Sequence, residues 1–256
     1  GYTTTEGIYI QDQVVHEGDC TGPVSAQAVL LDPTIDFAVL ECARGGILRS
    51  GLGFDTCDIS IVTNITEDHL GLKDIHTLED LAKVKSVVAR STAETGYAIL
   101  NAEDDLVYAM KHDVDGKIAL FSIDPNNKRV IDHCENDGLA AFIENGYLVV
   151  RKGKWKTRID KIVNIPLSLN GRAECMVKNI LPATLAAVIR NFDIQDIRMA
   201  LKTFIPSAEQ TPGRMNVFNF HDFDVMVDYA HNPDGFMQLK KFMDNTQASV
   251  KVGIVS

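Results

Sequence analysis

The sequence predicts an α/β fold that has a mostly parallel sheet with an antiparallel annex, followed by the start of a Rossmann-like domain. Three observations carry this prediction. Short apolar runs alternate with helical stretches in the first half of the chain, which is the pattern of a parallel α/β sheet. A second series of strand-like runs surrounds Asn145-Gly146, a dipeptide typical of hairpin turns. A new alternation of strand and helix begins at Met215.

In the first half, apolar runs at 36–40, 59–63, 97–100 and 117–121 predict strands, and a short helix is expected near 106–111. A longer helix is predicted over 77–93. Its apolar positions recur at helical spacing: Leu78, Leu81, Ala82, Val84, Val87 and Val88. Thr77 and Asp80 are spaced as a capping box at its start.

The second half predicts the annex and then a further domain. Residues 140–150 predict a hairpin, strand-like runs continue through 155–169, and helices follow at 174–190 and 193–204. Thr211-Pro212-Gly213 has the composition of a linker.

We therefore place a domain boundary near Ser207–Thr211. It divides the chain into a central domain, residues 1–207, and the start of a carboxy-terminal domain, residues 208–256. The second is expected to contain a strand, a helix and another strand, at 224–229, 233–243 and 250–255.

Composition narrows the class of function. The net charge of −10 argues against a general nucleic-acid binder, although local basic groups and a metal could still offset the charge of a nucleotide. No apolar run is long enough to span a bilayer, so no membrane partner is expected. The five cysteines are odd in number and lack a Cys-x-x-Cys pair, which favours free thiols in a reducing cytoplasm.

Polar residues follow two of the predicted strands, where open α/β sheets bind ligands. Glu41 could hold a divalent cation, and a solvated strand end is the alternative. Arg44, with Gly45-Gly46, could meet an anion or form a surface ion pair. Asp68-His69 combines a carboxylate with an imidazole, a common device of metal sites, although a structural histidine is the alternative.

Three further groups of residues are candidates. Lys85 lies among apolar residues on the 77–93 helix, where burial would leave it reactive; the alternative is that Lys85 and Lys83 both reach solvent. Arg214 lies at the inferred hinge, where it could clamp a phosphate. The segment 228–233 could contact ribose and adenine, or Asn232 could simply cap the helix that begins there.

In combination and order, these motifs resemble the Mur ligase superfamily of ATP-dependent amide-bond-forming enzymes. The motifs are Glu41, Asn64-x-x-x-Asp68-His69, Lys85, Asn101-Ala-Glu-Asp104, Gly171 with Asn179, Thr211-Pro-Gly-Arg214 and Asp228-Tyr-Ala-His-Asn-Pro233. Phrases such as Ala43-Arg-Gly-Gly-Ile-Leu-Arg-Ser-Gly51 and Gly171-Arg-Ala-Glu174 narrow the resemblance to members that attach arginine to poly-aspartate. It covers essentially the whole chain.

The resemblance implies a Mur ligase-type central domain and a set of residue roles. Glu41 and His69 would bind Mg²⁺, as would Lys85 if it is carbamoylated. Asn179 would contact adenine, Arg214 and Asp228 phosphate and ribose, and His231 would lie near the nucleotide. Thr21 and Arg44 resemble substrate-facing positions. His69, Lys85 and Arg214 would then be the catalytic residues.

ATP and Mg²⁺ are the implied cofactors, and arginine and a poly-aspartate primer are the implied substrates. A homo-oligomer is expected for the full-length protein. The chain has no phosphate loop, which the family has just before the position of Gly1, and it stops within an apolar run. We therefore expect residues 1–256 to be a piece of a longer protein and to be inactive alone; arginine-dependent ATP hydrolysis by this piece would contradict that.

Two alternatives stay open at the level of sequence. One is a Mur-type ligase that adds another amino acid, such as glutamate. The other is a non-catalytic scaffold, against which the joint presence of Glu41, His69, Lys85 and Arg214 weighs.

Overall fold

The computed structural model describes residues 1–67, 71 and 75–255 and confirms the α/β prediction. By its contacts the chain divides into two compact units. Unit 1 holds the described residues within Gly1–Ile65, Leu70–Leu100 and Asp104–Ile118; unit 2 holds those within Thr66–His69, Asn101–Glu103 and Ala119–Ser256.

Unit 1 begins with a four-stranded sheet of order β3-β2-β1-β4. Its strands are β1 Tyr2–Thr3, β2 Gly7–Ile10, β3 Gln13–Glu17 and β4 Val39–Leu40, and helices α1 Pro23–Leu30 and α2 Arg44–Ser50 accompany them. β1 runs parallel to β4 and antiparallel to β2. The strand predicted at 36–40 is therefore shorter than expected, because only its last two residues pair with β1.

The parallel pair of unit 1 is β5 Cys57–Val62 and β6 Thr92–Asn101, joined by helix α3 Leu78–Arg90. α3 packs on β5 and buries Leu81 and Ala89. The predicted capping box is present: the Thr77 hydroxyl accepts the Asp80 N–H at 3.1 Å, and the Asp80 carboxylate accepts the Thr77 N–H at 3.2 Å. A short helix, α4 Asp105–Ala109, follows β6.

The antiparallel annex lies in unit 2 and is formed by β8 Leu139–Glu144, β9 Tyr147–Lys152 and β10 Trp155–Lys161. β7 Lys117–Ser122 and α5 Lys128–Glu135 precede it. β7 and β8 are parallel, whereas β8–β9 and β9–β10 are antiparallel, in a sheet of order β10-β9-β8-β7-β6-β5. Asn145 and Gly146 have φ values of 52° and 77°, which confirms the predicted hairpin turn.

Two helices follow, α6 Glu174–Ile189 and α7 Ile194–Thr203. α6 packs against β8 through an apolar face that includes Ile180, Leu181 and Leu185, all buried. The strand-like run at 155–169 is a strand only as far as Lys161, and short 3₁₀ turns replace it beyond that residue.

The last elements are β11 Asn216–Asn219, β12 Asp224–Val227 and α8 Pro233–Asp244. Met215 and Phe242 pack with Ala173 and Met176 beside the start of α6. The Rossmann-like beginning is not confirmed, because β12 pairs antiparallel with β11 and residues 250–255 form no strand. No described strand lies beside that segment, so its apolar side chains stay exposed, with Ile254 93% accessible.

The boundary near Ser207–Thr211 stays a prediction. Over the described residues, no helix combines the length and the apolar character that crossing a membrane requires.

Candidate functional site

Thr21 and Arg44, both expected to face substrate, lie in neighbouring segments of unit 1. The Thr21 carbonyl accepts the N–H of Ala43 at 3.2 Å, and Ala43 is the residue before α2. The Thr21 hydroxyl donates to the Asp19 carboxylate at 2.6 Å. The structure therefore brings the Thr21 loop against the helix that Arg44 begins.

A glycine allows this approach. A Cβ added at Gly46 would lie 3.1 Å from the Thr21 carbonyl oxygen and 3.0 Å from Gly22 Cα. The neighbouring Gly45 has only the far end of Arg49 near its missing Cβ, at 3.9 Å. Of the two glycines, Gly46 is the one that close packing requires.

Glu41 directly follows β4, and its side chain is exposed. Its N–H donates to the Thr3 hydroxyl at 3.2 Å, so the backbone continues along β1. Burial, with a smaller contribution from Cys57 and Glu41, raises the pKa of the adjacent Cys42 thiol to about 11. The thiol is therefore protonated at neutral pH, and the carboxylate of Glu41 supplies the negative charge at this strand end.

The two lysines of α3 have different surroundings. The Lys85 amine donates to the carbonyl of Asn64, just beyond the end of β5, at 3.3 Å. The Lys83 side chain is 79% exposed and lies 3.7 Å from Asp80. The alternative in which both lysines reach solvent therefore holds for Lys83, whereas Lys85 points to the strand end that precedes Asp68-His69. Asp68 and His69 themselves lie outside the described residues.

Asp104 fixes the segment after β5. One of its carboxylate oxygens accepts the N–H of Ile65 at 2.7 Å. The other accepts the N–H groups of Leu106 and Val107, both at 3.0 Å, and caps α4. A single carboxylate thus holds the residue next to Asn64 in place.

Glu103 is the centre of a charged network in unit 2. Its carboxylate accepts from the Ser122 hydroxyl at 2.9 Å and from the Ile123 N–H at 2.5 Å, and it lies 3.0 Å from the Lys178 amine. Burial alone would raise the pKa of Glu103, but Lys178 and the hydrogen bonds outweigh it and lower that pKa. Burial likewise opposes the charge of Lys178, and Glu103 raises the pKa of that amine.

The network continues along α6 to the last helix. Lys178 lies 3.5 Å from Glu174, which in turn lies 3.2 Å from Lys241 of α8. Sequence reasoning missed Lys178, although the Glu174–Lys178 spacing of four residues was a usable signal of a helical ion pair. Asn179, the predicted adenine contact, is the next residue and is exposed.

The turn that holds Arg214 precedes β11 and pairs with the segment after β12, which holds Asp228 and His231. The Asp228 carboxylate accepts the N–H of Met215 at 2.9 Å, which holds the residue after Arg214. The Arg214 guanidinium lies 6.0 Å from the ring centre of Tyr229. The Tyr229 carbonyl oxygen is 3.0 Å from Nδ1 of His231.

The capping alternative for this segment also holds. Asn232 accepts the N–H of Gly235 at 2.8 Å and caps α8. Asn232 therefore has a structural role. The side chains of Asp228 and His231 on the same segment, and that of Arg214 before β11, are exposed or half-buried.

Metal binding was predicted for Glu41, His69 and Lys85. Within the part of the chain that the structure describes, no three His, Cys, Asp or Glu side chains are grouped to hold an ion. Because His69 lies outside that part, the predicted set remains a prediction.

Comparison with known proteins identifies relatives of the chain. The model of the Mur ligase middle domain matches residues 1–187. Cyanophycin synthetases of Geminocystis herdmanii and Crocosphaera subtropica are each 51% identical to this chain over 255 residues. The match covers 100% of this chain and 29% of each relative, so the chain spans less than a third of their length.

The fold of this chain is also similar to that of a solved structure. A crystal structure of MurF from Acinetobacter baumannii superposes with a TM-score of 0.61 at 18% identity, covering 85% of this chain and 44% of that one. At this identity the likeness concerns the fold alone. Because the family model matches well over half of its residues, the chain belongs to the Mur ligase middle domain family.

Proposed function

We propose that this chain is the Mur ligase-type region of a cyanophycin synthetase, which attaches arginine to the side-chain carboxyl of poly-aspartate. The observation that carries the proposal is the 51% identity to two cyanophycin synthetases along the whole chain. The activity belongs to the full-length protein, of which this chain is one part.

The reaction has two steps. The γ-phosphoryl group of ATP passes to an aspartate side-chain carboxylate, giving an acyl phosphate and ADP. The α-amine of arginine then attacks the acyl carbon, the carbon–oxygen bond to phosphate breaks, and an amide and inorganic phosphate result. A site for these steps must balance the negative charge of the transferred group and exclude water from the intermediate.

The proposed residue roles follow the layout of each unit. Glu41 and His69 would hold Mg²⁺, and so would Lys85 if it is carbamoylated; the ion would balance phosphate charge when bound. The position of Lys85 supports this role, because its amine reaches the strand end that leads to His69. Thr21 and Arg44 would face the polymer or the amino acid, and their segments pack together.

In unit 2, Asn179 would contact adenine, and Arg214, Asp228 and His231 would contact phosphate and ribose. The contacts between the turn of Arg214 and the segment after β12, which carries Asp228 and His231, support this assignment. The five free cysteines are consistent with a reducing compartment, and we propose a cytoplasmic homo-oligomer that binds ATP, Mg²⁺, arginine and a poly-aspartate (cyanophycin) primer.

Phosphate release by the full-length protein tests this function. With ATP, Mg²⁺ and a poly-aspartate primer, we expect release only when arginine is the added amino acid. Release with a different amino acid would retain the ligase chemistry and reject cyanophycin synthesis. No release with any amino acid would favour the scaffold alternative.

Two variant pairs test the residue roles. We expect His69→Ala to abolish release, with His76→Ala, at an exposed histidine seven residues away, as its control. Lys85→Gln should likewise abolish release, whereas Lys83→Gln on the same helix should retain it, because Lys83 is in solvent. Equal activities within either pair would contradict the assignment.

A further inference from the structure

One buried amide holds the turn that carries Arg214. Asn216, the first residue of β11, is 4% exposed and reaches back to residues 211–213. Its Oδ1 accepts the N–H of Gly213 at 2.8 Å. Its Nδ2 donates to the Thr211 carbonyl at 2.9 Å, and the same carbonyl accepts the N–H of Arg214 at 3.1 Å. Because an amide both accepts and donates, one side chain binds two backbone groups just before the arginine.

The segment after β12 holds the same turn from its other side. The Gly213 carbonyl accepts the N–H of Tyr229 at 2.8 Å, and the Asp228 carboxylate accepts the N–H of Met215 at 2.9 Å. The residues directly before and directly after Arg214 are therefore both hydrogen-bonded through their backbones. The arginine has a fixed backbone at its exposed position.

The turn is also held in a strained conformation. Gly213 and Met215 have φ values of 65° and 48°. A positive φ is ordinary for glycine, whereas in other residues it is uncommon and costs energy, so the surroundings must impose it on Met215. The Met215 side chain is buried and packs with Ala173 and Phe242. Strain that the fold maintains beside an exposed arginine is typical of a position prepared for a ligand.

The Arg214 side chain, by contrast, is not consumed by the protein. Its guanidinium lies 6.0 Å from the ring centre of Tyr229 and 3.5 Å from the Gly213 carbonyl oxygen. In the part of the chain that the structure describes, it forms no ion pair with a carboxylate. A cation on a fixed backbone loses less conformational freedom on meeting an anion than a cation on a mobile loop does.

We propose that Asn216 is a positioning residue, whose buried amide fixes the backbone of Arg214 so that the guanidinium is already placed to bind the phosphate groups of ATP. This inference rests on the proposed function, which assigns Arg214 to phosphate. Asn216 does not touch the nucleotide, and its effect passes through Arg214. An amide is needed because the side chain must accept from Gly213 and donate to Thr211 at once.

Kinetic constants of the full-length protein provide the test. We expect Asn216→Ala to raise the KM for ATP about tenfold, because a displaced arginine makes a weaker charged hydrogen bond. The KM for arginine should not change. Partial unfolding would lower kcat alone, since the enzyme that stays folded would bind ATP normally. An unchanged KM for ATP, or an equal rise in the KM for arginine, would overturn the proposal.

Two further variants guard against a general loss of structure. Asn216→Asp keeps the size of the side chain and the acceptor for the Gly213 N–H, but it removes the donor to Thr211; the KM for ATP should again rise. Asn219→Ala, on the same strand, is the control, because its amide donates to the Asp224 carboxylate at 2.8 Å on the exposed part of the hairpin. A wild-type KM for ATP in Asn216→Asp, or a similar rise in Asn219→Ala, would contradict the role of the buried amide.

A double-mutant cycle shows whether Asn216 acts through Arg214. We expect Arg214→Ala to raise the KM for ATP, and Asn216→Ala in that background to raise it no further. Additive effects would overturn the inference and leave the phosphate role of Arg214 standing. A wild-type KM for ATP in Arg214→Ala would overturn both that role and the inference.

A binding measurement separates the inference from the ligase assignment. Isothermal titration calorimetry with ATP and Mg²⁺ needs no catalysis, and the Kd for ATP should follow the same cycle. If phosphate release fails but ATP binds and Asn216→Ala weakens it only while Arg214 is present, the ligase assignment fails and the positioning role stands. Equal affinities of the wild-type protein and Asn216→Ala for ATP would overturn the positioning role.

Discussion

The amine of Lys178 lies 3.0 Å from the carboxylate of Glu103, and this pair joins helix α6 to the segment that follows β6. Both side chains are less than a third exposed, at 29% and 26%. Because Glu103 also accepts from Ser122 and Ile123, its position is fixed on two sides. The pair fixes the first half of α6. Asn179, the predicted adenine contact, directly follows Lys178 in this helix.

We expect the Lys178–Glu103 pair to make stability depend on pH at both ends of the scale. The lowered pKa of Glu103 means that its contribution is present above the unfolded value, about 4.3, and is lost as the pH falls through the folded pKa. The raised pKa of Lys178 means that its contribution is present below about 10.4 and is lost as the pH rises through the folded value.

Urea unfolding of Lys178→Met at several pH values measures this effect. At pH 7 we expect the free energy of unfolding to fall by about 1–2 kcal/mol, with the difference shrinking in acid. Lys240→Met, which breaks an exposed pair with Asp244, should cost less than about 0.5 kcal/mol. A Lys178→Met difference that stays constant down to low pH would contradict the coupling.

Gly46→Ala should disturb the Thr21 loop. The new Cβ would crowd the Thr21 carbonyl and Gly22, so we expect a loss of about 1–3 kcal/mol and, in the full-length enzyme, a raised KM for a substrate. Gly45→Ala has room and should stabilise the chain by up to about 1 kcal/mol, because alanine favours helix. Thermal unfolding compares the two variants, and similar midpoints would show that Gly46 is not constrained.

Asp104→Ala should release two segments at once. It removes the cap of α4 and the acceptor of the Ile65 N–H, so we expect a cost of about 2 kcal/mol and faster hydrogen exchange at Ile65 and Leu106. Asp193→Ala removes only a cap, that of α7, and should cost about 1 kcal/mol. Unchanged exchange at Ile65 would argue against the role of Asp104 in fixing the β5 loop.

Asp228→Asn should separate a structural role from a nucleotide role. Asparagine keeps an oxygen that can accept the Met215 N–H, so the free energy of unfolding should change by less than about 0.5 kcal/mol. Loss of a charged hydrogen bond to ribose should raise the KM for ATP about tenfold in the full-length enzyme. Asp224→Asn, four residues earlier at the start of β12, is the control; a wild-type KM in Asp228→Asn would exclude the ribose contact.

Local patterns explain which elements the sequence predicts well. Helix α3 has both an apolar face and the Thr77–Asp80 capping box, and the β8–β9 hairpin has Asn145-Gly146 at the turn. By contrast, β1 and β4 are two residues long and β3 is exposed throughout, so no apolar alternation marks them. The apolar run at 250–255 reads as a strand, but a strand needs a neighbour as well as a composition.

For the candidate site, the sequence points to individual residues but not to the contacts between them. Residues that follow strands, such as Glu41 and Asp228, can be found from the order of apolar runs and motifs. Their partners cannot, because contacts such as Asp104 with Ile65 or Lys178 with Glu103 join positions 39 and 75 residues apart. Only the fold brings those side chains together.

The position of β10 at the edge of the six-stranded sheet has a consequence for self-association. An exposed edge strand is a template on which another copy of the same strand can pair and aggregate. Here the Arg198 side chain donates to the carbonyls of Arg158 and Ile159 and so blocks part of that edge. Lys156, Arg158 and Lys161 along β10 would also repel the same row of charges on a second molecule. An edge that carries a row of like charges is thereby a poor template for its own copy.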